Sequence, residues 1–292
     1  MNVATARPTR LLDHLVRCNA RDQSRFRPFL IGDRRVGWVR DDVLTVLAHF
    51  PDALEVEADR VRMTPRATTV EQRSEALRRV AAGLVERGLL AKFRAEMFPV
   101  ISQWGEEPLA LIDRSAVPIF GVKAFGLHVN GYVREGDRLK IWIGRRALDK
   151  AVEPGKLDNM VAGGQPAGLT LADNLVKEAH EEAGLERAMA LRAVPAGAIT
   201  YCMEAERGLK PDTMFVYDLE LPRDFVPRNH DGEITDFMLM QPVEVIERMR
   251  TSYDFKFNVS LVLIDFLIRT GQIRPETEPD YMALVTGLHQ PA

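Results

Sequence analysis

The segment with the clearest chemical potential is KEAHEEAGL, which places Glu178, Glu181 and Glu182 within five positions. Residues three and four positions apart share one edge of an α-helix, so a helix here brings the three carboxylates together. Like charges at this spacing repel by ~0.2–0.5 kcal/mol per pair, and the helix dipole disfavours anions in the last turn. Spacing alone leaves two interpretations open: a solvated helix face, or a site for Mg²⁺ or Mn²⁺, which prefer carboxylate oxygens.

The helix that must carry these carboxylates is delimited in the sequence. Thr170 and Asp173 resemble a capping box, which predicts that the helix starts just after Thr170, and Gly184 is typical of a helix end. The expected buried stripe consists of apolar residues that recur every four positions, namely Leu171, Leu175 and Ala179.

A glycine-containing loop precedes the helix, with glycines at 163, 164 and 168. These glycines allow a phosphorylated ligand to approach the backbone closely, but the loop is not a Walker A motif because no Gly-Lys-Ser/Thr follows. The segment GRRALDK, just after an expected strand, supplies Arg146 and Lys150, whose cationic groups suit phosphate oxygens. Basic residues at a strand end are also commonly just solvated, so substrate binding by Arg146 and Lys150 is a hypothesis.

Composition limits the class of protein. The chain has 292 residues, of which 46% are hydrophobic, and a net charge of −3, so it lacks the basic character that nucleic-acid polymers require. Cys18 and Cys202 are too few for a disulfide framework or a paired-cysteine zinc site, and they favour a reducing compartment. The N-terminal segment has no apolar run long enough for a signal sequence or a membrane span. We therefore expect a soluble cytoplasmic protein without a nucleic-acid or membrane partner.

Two domains are the expected organisation. Helical periodicity predicts helices near residues 9–19 and 69–88 with a β-hairpin between them, so the first part is α+β. Residues 99–118 lose clear periodicity and are interpreted as a connecting loop, which places the boundary between domains 1–112 and 113–292. The second domain has strands before and after the glutamate helix, and two amphipathic helices near its end. For this second domain an α/β/α or α+β sandwich is therefore expected, and the fold class of the chain is α+β.

The glycine loop and the glutamate helix together resemble the Nudix box, whose pattern is G-x5-E-x7-R-E-U-x-E-E-x-G-U with U aliphatic. Counting from Gly163, the match retains the first glycine, the three glutamates, Gly184 and Leu185. Leu169 stands where the family has Glu, and Lys177 stands where it has Arg. In the family those two side chains commonly form an ion pair between loop and helix, so we expect apolar packing to replace that brace here.

The resemblance implies roles for individual residues. Glu178, Glu181 and Glu182 would be ligands of Mg²⁺ or Mn²⁺, with Glu182 innermost, and either Glu181 or Glu182 would orient the attacking water. By analogy, the backbone carbonyl of Gly163 would be a further ligand. Many members take a catalytic base or an extra ligand from a later loop; Glu233 in NHDGEITDF best matches that position, although a solvated turn explains it equally well. The implied reaction is hydrolysis of a small organic diphosphate.

Segments outside the box narrow the resemblance. GLHVNGYV, MFVYDLELP, DGEITDF and DFLIRTGQIRPETEPDY look like the Nudix part of fungal thiamin pyrophosphokinases and their relatives, in which a domain of unassigned role precedes the Nudix fold. This branch implies release of phosphate from thiamin diphosphate or its oxidised analogues. The alternatives are a hydrolase for ADP-ribose or other nucleoside diphosphate derivatives, and a non-catalytic metabolite sensor; a homodimer is a further hypothesis. The sequence offers four unranked aromatic side chains to stack on a substrate ring: Phe125, Tyr132, Trp142 and Phe237.

Overall fold

The computed structural model describes residues 8–290, so the first seven residues of the expected N-terminal domain and the last two of the chain lie outside the described part. The first part of the chain alternates short helices and strands. Its elements, in chain order, are α1 (Leu12–Cys18), β1 (Phe26–Ile31), β2 (Arg34–Arg40), α2 (Leu44–Leu47), β3 (Leu54–Val56), β4 (Val61–Met63), α3 (Val70–Glu86), β5 (Met97–Val100), β6 (Ala110–Asp113) and α4 (Val117–Phe120).

Four strands of this first part form one sheet in the order β2-β1-β4-β3. β1 and β2 make the expected hairpin, and its turn contains Gly32, whose φ of 60° glycine adopts without strain. α3 begins at a capping box between Thr69 and Gln72 and buries an apolar stripe in the core of this unit. The prediction of a long helix near residues 69–88 therefore agrees with the structure.

The interpretation of residues 99–118 as a connecting loop is wrong. β5 and β6 pair antiparallel, α4 follows them, and Val100, Ala110 and Ile112 are fully buried in the core of the first unit. The two strands are only four residues long each, which is too short to show a periodic pattern in the sequence.

The second part of the chain contains one large mixed sheet and five helices among its described residues. Its elements, in chain order, are β7 (Phe125–Glu135), β8 (Arg138–Arg146), β9 (Leu157–Asn159), β10 (Val161–Gly164), α5 (Leu171–Ala183), α6 (Arg187–Ala190), β11 (Val194–Ala205), β12 (Gly208–Glu220), β13 (Ile234–Met240), α7 (Pro242–Thr251), α8 (Val259–Arg269) and α9 (Tyr281–Gly287).

The sheet has the order β11-β12-β7-β8-β13, with β10 paired to β7 and β9 paired to β8. β7 and β12 run parallel, and the other pairs are antiparallel. α5 covers one face, where Leu175 and Ala179 join the cluster around Leu127, and α8 covers the other. The expected α+β fold with an α/β/α sandwich is confirmed. Within residues 8–290, no helix is both long enough and apolar enough to cross a membrane.

α1 belongs to the first part of the chain but packs against the second. Leu11, Leu15 and Cys18 are buried in the same cluster as α8 and α9. The Sγ atom of Cys18 also donates a hydrogen bond to the carbonyl oxygen of Phe257 at 3.1 Å. The boundary near residue 112 stays a prediction, and packed side chains join the chain segments on its two sides.

Candidate functional site

Helix α5 begins and ends where its sequence predicts. The Thr170 hydroxyl accepts a hydrogen bond from the amide of Asp173 at 3.1 Å, and Gly184 ends the helix with a φ of 66°. Two backbone amides of the loop at residues 228–230 donate to carbonyls of the last turn at 2.8 and 3.1 Å. The end of α5 that carries the glutamates is therefore held against the loop that leads to Glu233.

Glu182 is buried at the inner edge of α5, with 3% of its surface exposed. One carboxylate oxygen accepts a hydrogen bond from the amide of Ala162 in β10 at 2.7 Å. Burial raises the pKa of Glu182 well above its ordinary value, and the charges of Asp158, Glu178 and Glu233 add to the increase. The hydrogen bond from Ala162 opposes that increase but does not cancel it.

Glu178 and Glu181 share a cation supplied by the same helix. The Nζ atom of Lys177 lies 3.0 Å from a carboxylate oxygen of Glu178 and 2.7 Å from one of Glu181. Burial alone would lower the pKa of Lys177, but these two hydrogen bonds raise it. The ammonium group thus occupies a position between two carboxylates, where a cation is favoured.

The glycines of β10 permit close approach of α5. A Cβ atom on Gly163 would overlap the carboxyl carbon of Glu178, so a larger residue at 163 would force this glutamate out of place. The Gly163 carbonyl oxygen lies 2.8 Å from the position that a Cβ atom on Gly126 would occupy, so this oxygen is close to β7. Ligation by this carbonyl stays a prediction.

The brace between loop and helix differs from the expectation. Leu169 is 39% exposed, so apolar packing at this position does not replace the family's ion pair. The amide group of Asn174 instead donates to the Gly164 carbonyl at 2.7 Å and to the Gln165 side chain at 3.0 Å. Gln165 in turn donates to the Leu169 carbonyl at 2.7 Å. Asn174 is a polar residue next to the apolar face of α5, and this is the feature of the sequence that could have predicted its hydrogen bonds to the loop.

A buried charge cluster lies beside Glu182. Asp158 forms an ion pair with Arg146 at 2.6 Å and another with Lys256 at 3.5 Å. Arg146 is 6% exposed, and its remaining donors bind the carbonyl oxygens of Val152 and Glu153 at 2.8–3.2 Å. The guanidinium of Arg146 is therefore buried and bonded to Asp158. Direct substrate binding would require a guanidinium with free N–H donors at the surface. Sequence reasoning missed Lys256, which follows Glu182 by more than seventy positions.

Lys150 and Glu233, which were predicted separately, form an ion pair with each other. The side chain of Glu233 is 46% exposed and that of Lys150 is 19% exposed. Because the charge of Glu233 also contributes to the raised pKa of Glu182, this pair lies close enough to influence the inner carboxylate. The structure therefore brings Lys150 and Glu233 to the neighbourhood of α5.

The donor chemistry of this region fits a hard divalent cation, although the present side-chain arrangement is not a finished ligand cluster. Among the described residues, no group of three or more His, Cys, Asp and Glu side chains is close enough together to hold a metal ion. Glu178 and Glu181 turn toward Lys177, and Glu182 turns toward Ala162. The ammonium group of Lys177 occupies the place between Glu178 and Glu181 where a metal ion would bind. The buried Glu182 has no ion-pair partner among the described residues.

The aromatic candidates occupy different places. Trp142 and Phe237 pack in the cluster beneath α5, and Tyr132 packs against Phe266 at 5.5 Å between ring centroids. Phe125 lies beside Trp104, which the sequence reasoning did not single out, at 4.8 Å. A stacking role for any of them stays a prediction.

Comparison with known proteins bears on both parts of the chain. A family model described as a domain of unknown function, DUF4743, matches residues 10–124. A Deinococcus radiodurans protein of known crystal structure is similar with a TM-score of 0.41 and 20% identity, over 58% of this chain and 96% of that one.

Two Arabidopsis thaliana proteins are similar over most of the chain. Nudix hydrolase 24, chloroplastic, is 39% identical over 281 residues, which cover 94% of this chain and 76% of that protein. Nudix hydrolase 20, chloroplastic, is also 39% identical over 281 residues, which cover 92% and 75%. The prediction of a cytoplasmic location is contradicted, because both relatives are named as chloroplastic. The expected enzyme class is confirmed: at this identity and coverage, the chain belongs to the Nudix hydrolase family.

Proposed function

We propose that this hydrolase cleaves a small organic diphosphate in a reaction that depends on Mg²⁺ or Mn²⁺. The observation that carries the proposal is the buried carboxyl group of Glu182, which has no ion-pair partner among the described residues and lies on the same helix edge as Glu178 and Glu181. A raised pKa means that ionising this buried carboxyl group is costly unless a cation joins it. A divalent metal bound by oxygen ligands supplies that charge.

Glu178, Glu181 and Glu182 would hold the metal, and the carbonyl of Gly163 is the proposed further ligand. For this, Glu178 and Glu181 turn from Lys177, whose hydrogen bonds to them are partly exposed and therefore inexpensive to exchange. A metal held by these residues would neutralise charge on phosphate oxygens and would make water a better nucleophile. A pure binding protein would have little use for three clustered carboxylates, which is the argument against a non-catalytic sensor.

The other residues of the site act on water and substrate. Water attacks one phosphorus, and the bond from that phosphorus to the bridging oxygen breaks. We assign orientation of the water to Glu181 or Glu182, and acceptance of its proton to Glu233, which is half-exposed beside Lys150. Lys150 is the proposed contact for a phosphate oxygen when it leaves Glu233. Arg146, which was first a candidate for direct binding, is assigned to hold Asp158.

The proposed substrate is thiamin diphosphate or an oxidised analogue, cleaved to the monophosphate and phosphate. The support for this choice is the resemblance of segments outside the box, such as DGEITDF and DFLIRTGQIRPETEPDY, to the Nudix part of thiamin pyrophosphokinases. ADP-ribose is the competing substrate, because the box itself does not discriminate between diphosphates.

The test is a panel of thiamin diphosphate, its oxidised forms and ADP-ribose, assayed with Mg²⁺ or Mn²⁺. We expect Glu182→Gln to lower kcat by a factor on the order of a hundred. The matched control, Glu186→Gln, changes an exposed glutamate just past the box and should retain wild-type turnover. Equal turnover by wild type and Glu182→Gln would reject the metal-ligand assignment, whereas turnover of ADP-ribose alone would reject the substrate but retain the reaction.

A further inference from the structure

The hairpin formed by β5 and β6, together with its flanking residues, contacts the loop that precedes α5. We call residues 96–114 the docking hairpin. The amide of Ala167, in the loop before α5, donates to the carbonyl oxygen of Met97 at 2.8 Å. Trp104, in the connection between the two strands, packs on Phe125 and Phe215 at centroid distances of 4.8 and 4.6 Å. These contacts fix the docking hairpin against β7, β12 and the loop before α5.

Arg114 is placed by this docking beside the glycine strand. Its guanidinium carbon lies 3.6 Å from the position of a Cβ atom on Gly164. The neighbouring residue, Gly163, is the one on which the Glu178 carboxylate rests. The side chain of Arg114 is 45% exposed, so a ligand can reach it. Successive residues of a strand face opposite sides, so the docking hairpin places an accessible guanidinium across the glycine strand from Glu178.

The partner of Arg114 is a carboxylate of the same hairpin. Nη1 of Arg114 donates to Glu96 at 2.7 Å, and within the described chain this is the one hydrogen bond that the guanidinium donates. A guanidinium has five N–H donors in a planar fork, and that fork matches phosphate oxygens. An ion pair this exposed contributes little to stability, so its exchange for a phosphate is not opposed by a large loss.

The charges of the docking hairpin act on the site. Burial raises the pKa of Glu178, and the carboxylates of Glu181 and Glu96 add to that increase while Lys177 opposes it. Burial lowers the pKa of Lys256, and Arg114 is among the positive charges that lower it further. Glu96 therefore lies within electrostatic range of Glu178, and Arg114 lies within electrostatic range of Lys256.

We propose that Arg114 binds a phosphate of the substrate and that Glu96 competes for it, so that the docking hairpin supplies one wall of the Nudix site. The proposal rests on the proposed function and extends it to residues outside the box. It gives the region matched by the family model of unknown function a role in substrate recognition. The ligand chemistry is a phosphate dianion, which two guanidinium N–H groups bind side by side.

The test compares substitutions at the two ends of the ion pair. Arg114→Gln should raise KM about tenfold while kcat changes by less than about threefold, because a charge-assisted contact to substrate is lost. Glu96→Gln should lower KM, by about twofold to fivefold, because the competing carboxylate is gone. The control, Arg78→Gln, breaks a similar exposed pair with Glu75 on α3 and should leave KM unchanged.

The opposite signs distinguish substrate binding from a merely structural pair. A structural ion pair would make both substitutions act in the same direction, and that result, or an unchanged KM in both variants, overturns the proposal. Arg114→Lys should restore part of the binding, because the charge returns without the planar fork.

A second measurement separates this proposal from the proposed function. Calorimetric titration with inorganic pyrophosphate, without added divalent metal, reports on the anion contact in the absence of turnover. Weaker binding by Arg114→Gln and tighter binding by Glu96→Gln support the proposal even if no diphosphate in the panel is hydrolysed. Absence of pyrophosphate binding by the wild-type protein, or equal binding by all three proteins, rejects it.

Discussion

Two neighbouring carboxylates, Asp158 and Glu182, are equally buried but differ in their electrostatic environment. They are 1% and 3% exposed. Burial alone would raise the pKa of Asp158, but the charges of Lys256 and Arg146 hold it below the ordinary value. Burial raises the pKa of Glu182, and the neighbouring negative charge of Asp158 adds to the increase. The same degree of burial thus gives shifts of opposite sign.

The difference distinguishes a carboxylate that has ion-pair partners within the fold from a carboxyl group that has none among the described residues. Asp158 carries its counter-charges within the chain, so its ionised form is part of the folded structure. Glu182 receives one backbone hydrogen bond and has no ion-pair partner in the described part of the chain; the charge of Lys256 acts on it only from a longer distance. We infer that Asp158 is structural and that Glu182 binds a cation supplied from solution.

The largest expected effect comes from removing the charge of Asp158. Asp158→Asn should lower the free energy of unfolding by about 3–5 kcal/mol, because Arg146 and Lys256 lose their buried counter-charge. Glu182→Gln should change it by less than about 1 kcal/mol, or increase it, because the ionised form of this buried carboxyl group is costly and glutamine keeps the Ala162 hydrogen bond. Urea denaturation at neutral pH, without divalent metal, measures both.

The comparison fails if the two variants lose similar stability. Equal losses would mean that Glu182 also has a counter-charge within the fold, and the need for an external cation would disappear. Glu186→Gln serves as the control here as well, since its side chain is exposed and its removal should leave the unfolding curve unchanged.

His128 extends the comparison to a third buried group. Its Nδ1 atom lies 2.9 Å from the side-chain oxygen of Asn159, and burial, aided by the charge of Lys256, lowers the pKa of His128 to about 4. The unfolded chain binds this proton below pH 6.5, but the folded chain does so only near pH 4. The free energy of unfolding therefore decreases by roughly 3 kcal/mol, from this group alone, as the pH falls from 6.5 to about 4.

His128→Gln should flatten the dependence of unfolding free energy on pH between about 6.5 and 4. The measurement compares the slopes of unfolding free energy against pH, because the substitution also removes core contacts and shifts the whole curve. His49→Gln alters an exposed histidine and should keep the wild-type slope. Parallel curves for wild type and His128→Gln would show that His128 does not stay neutral in the fold.

The sequence predicted the local parts of this site but not its long-range contacts. The glutamate edge, the cap at Thr170 and the end at Gly184 follow from spacing within a single helix, and all appear in the structure. The cluster of Arg146, Asp158 and Lys256 is assembled by pairing of β8 with β9 and by an isolated bridge from Leu157 to Phe255. No periodic pattern records pairings between segments about a hundred residues apart.

The docking hairpin was missed for a related reason. Its strands are short, and residues 96–114 contain charges and glycine that resemble an exposed loop. The contacts that fix it, from Met97 to Ala167 and from Trp104 to Phe125, join segments about twenty to seventy residues apart. Local propensity also does not predict the contact between the loop and α5, where the side-chain amide of Asn174 donates a hydrogen bond to that of Gln165.

The smallest expected effect tests the cation directly. A ligand that binds only the folded state stabilises it by about 2.7 kcal/mol when its concentration is a hundred times its Kd. We expect Mg²⁺ or Mn²⁺ to stabilise the wild-type protein and Asp158→Asn, which retains Glu182, by a similar increment in thermal or urea unfolding. Glu182→Gln should gain much less, because the inner carboxylate is absent. If Glu182→Gln is stabilised by the cation as much as the wild type, the metal site consists of Glu178 and Glu181 alone. If Asp158→Asn is no longer stabilised by the cation, Asp158 also positions the metal ligands, and the two buried carboxyl groups do not have separate roles.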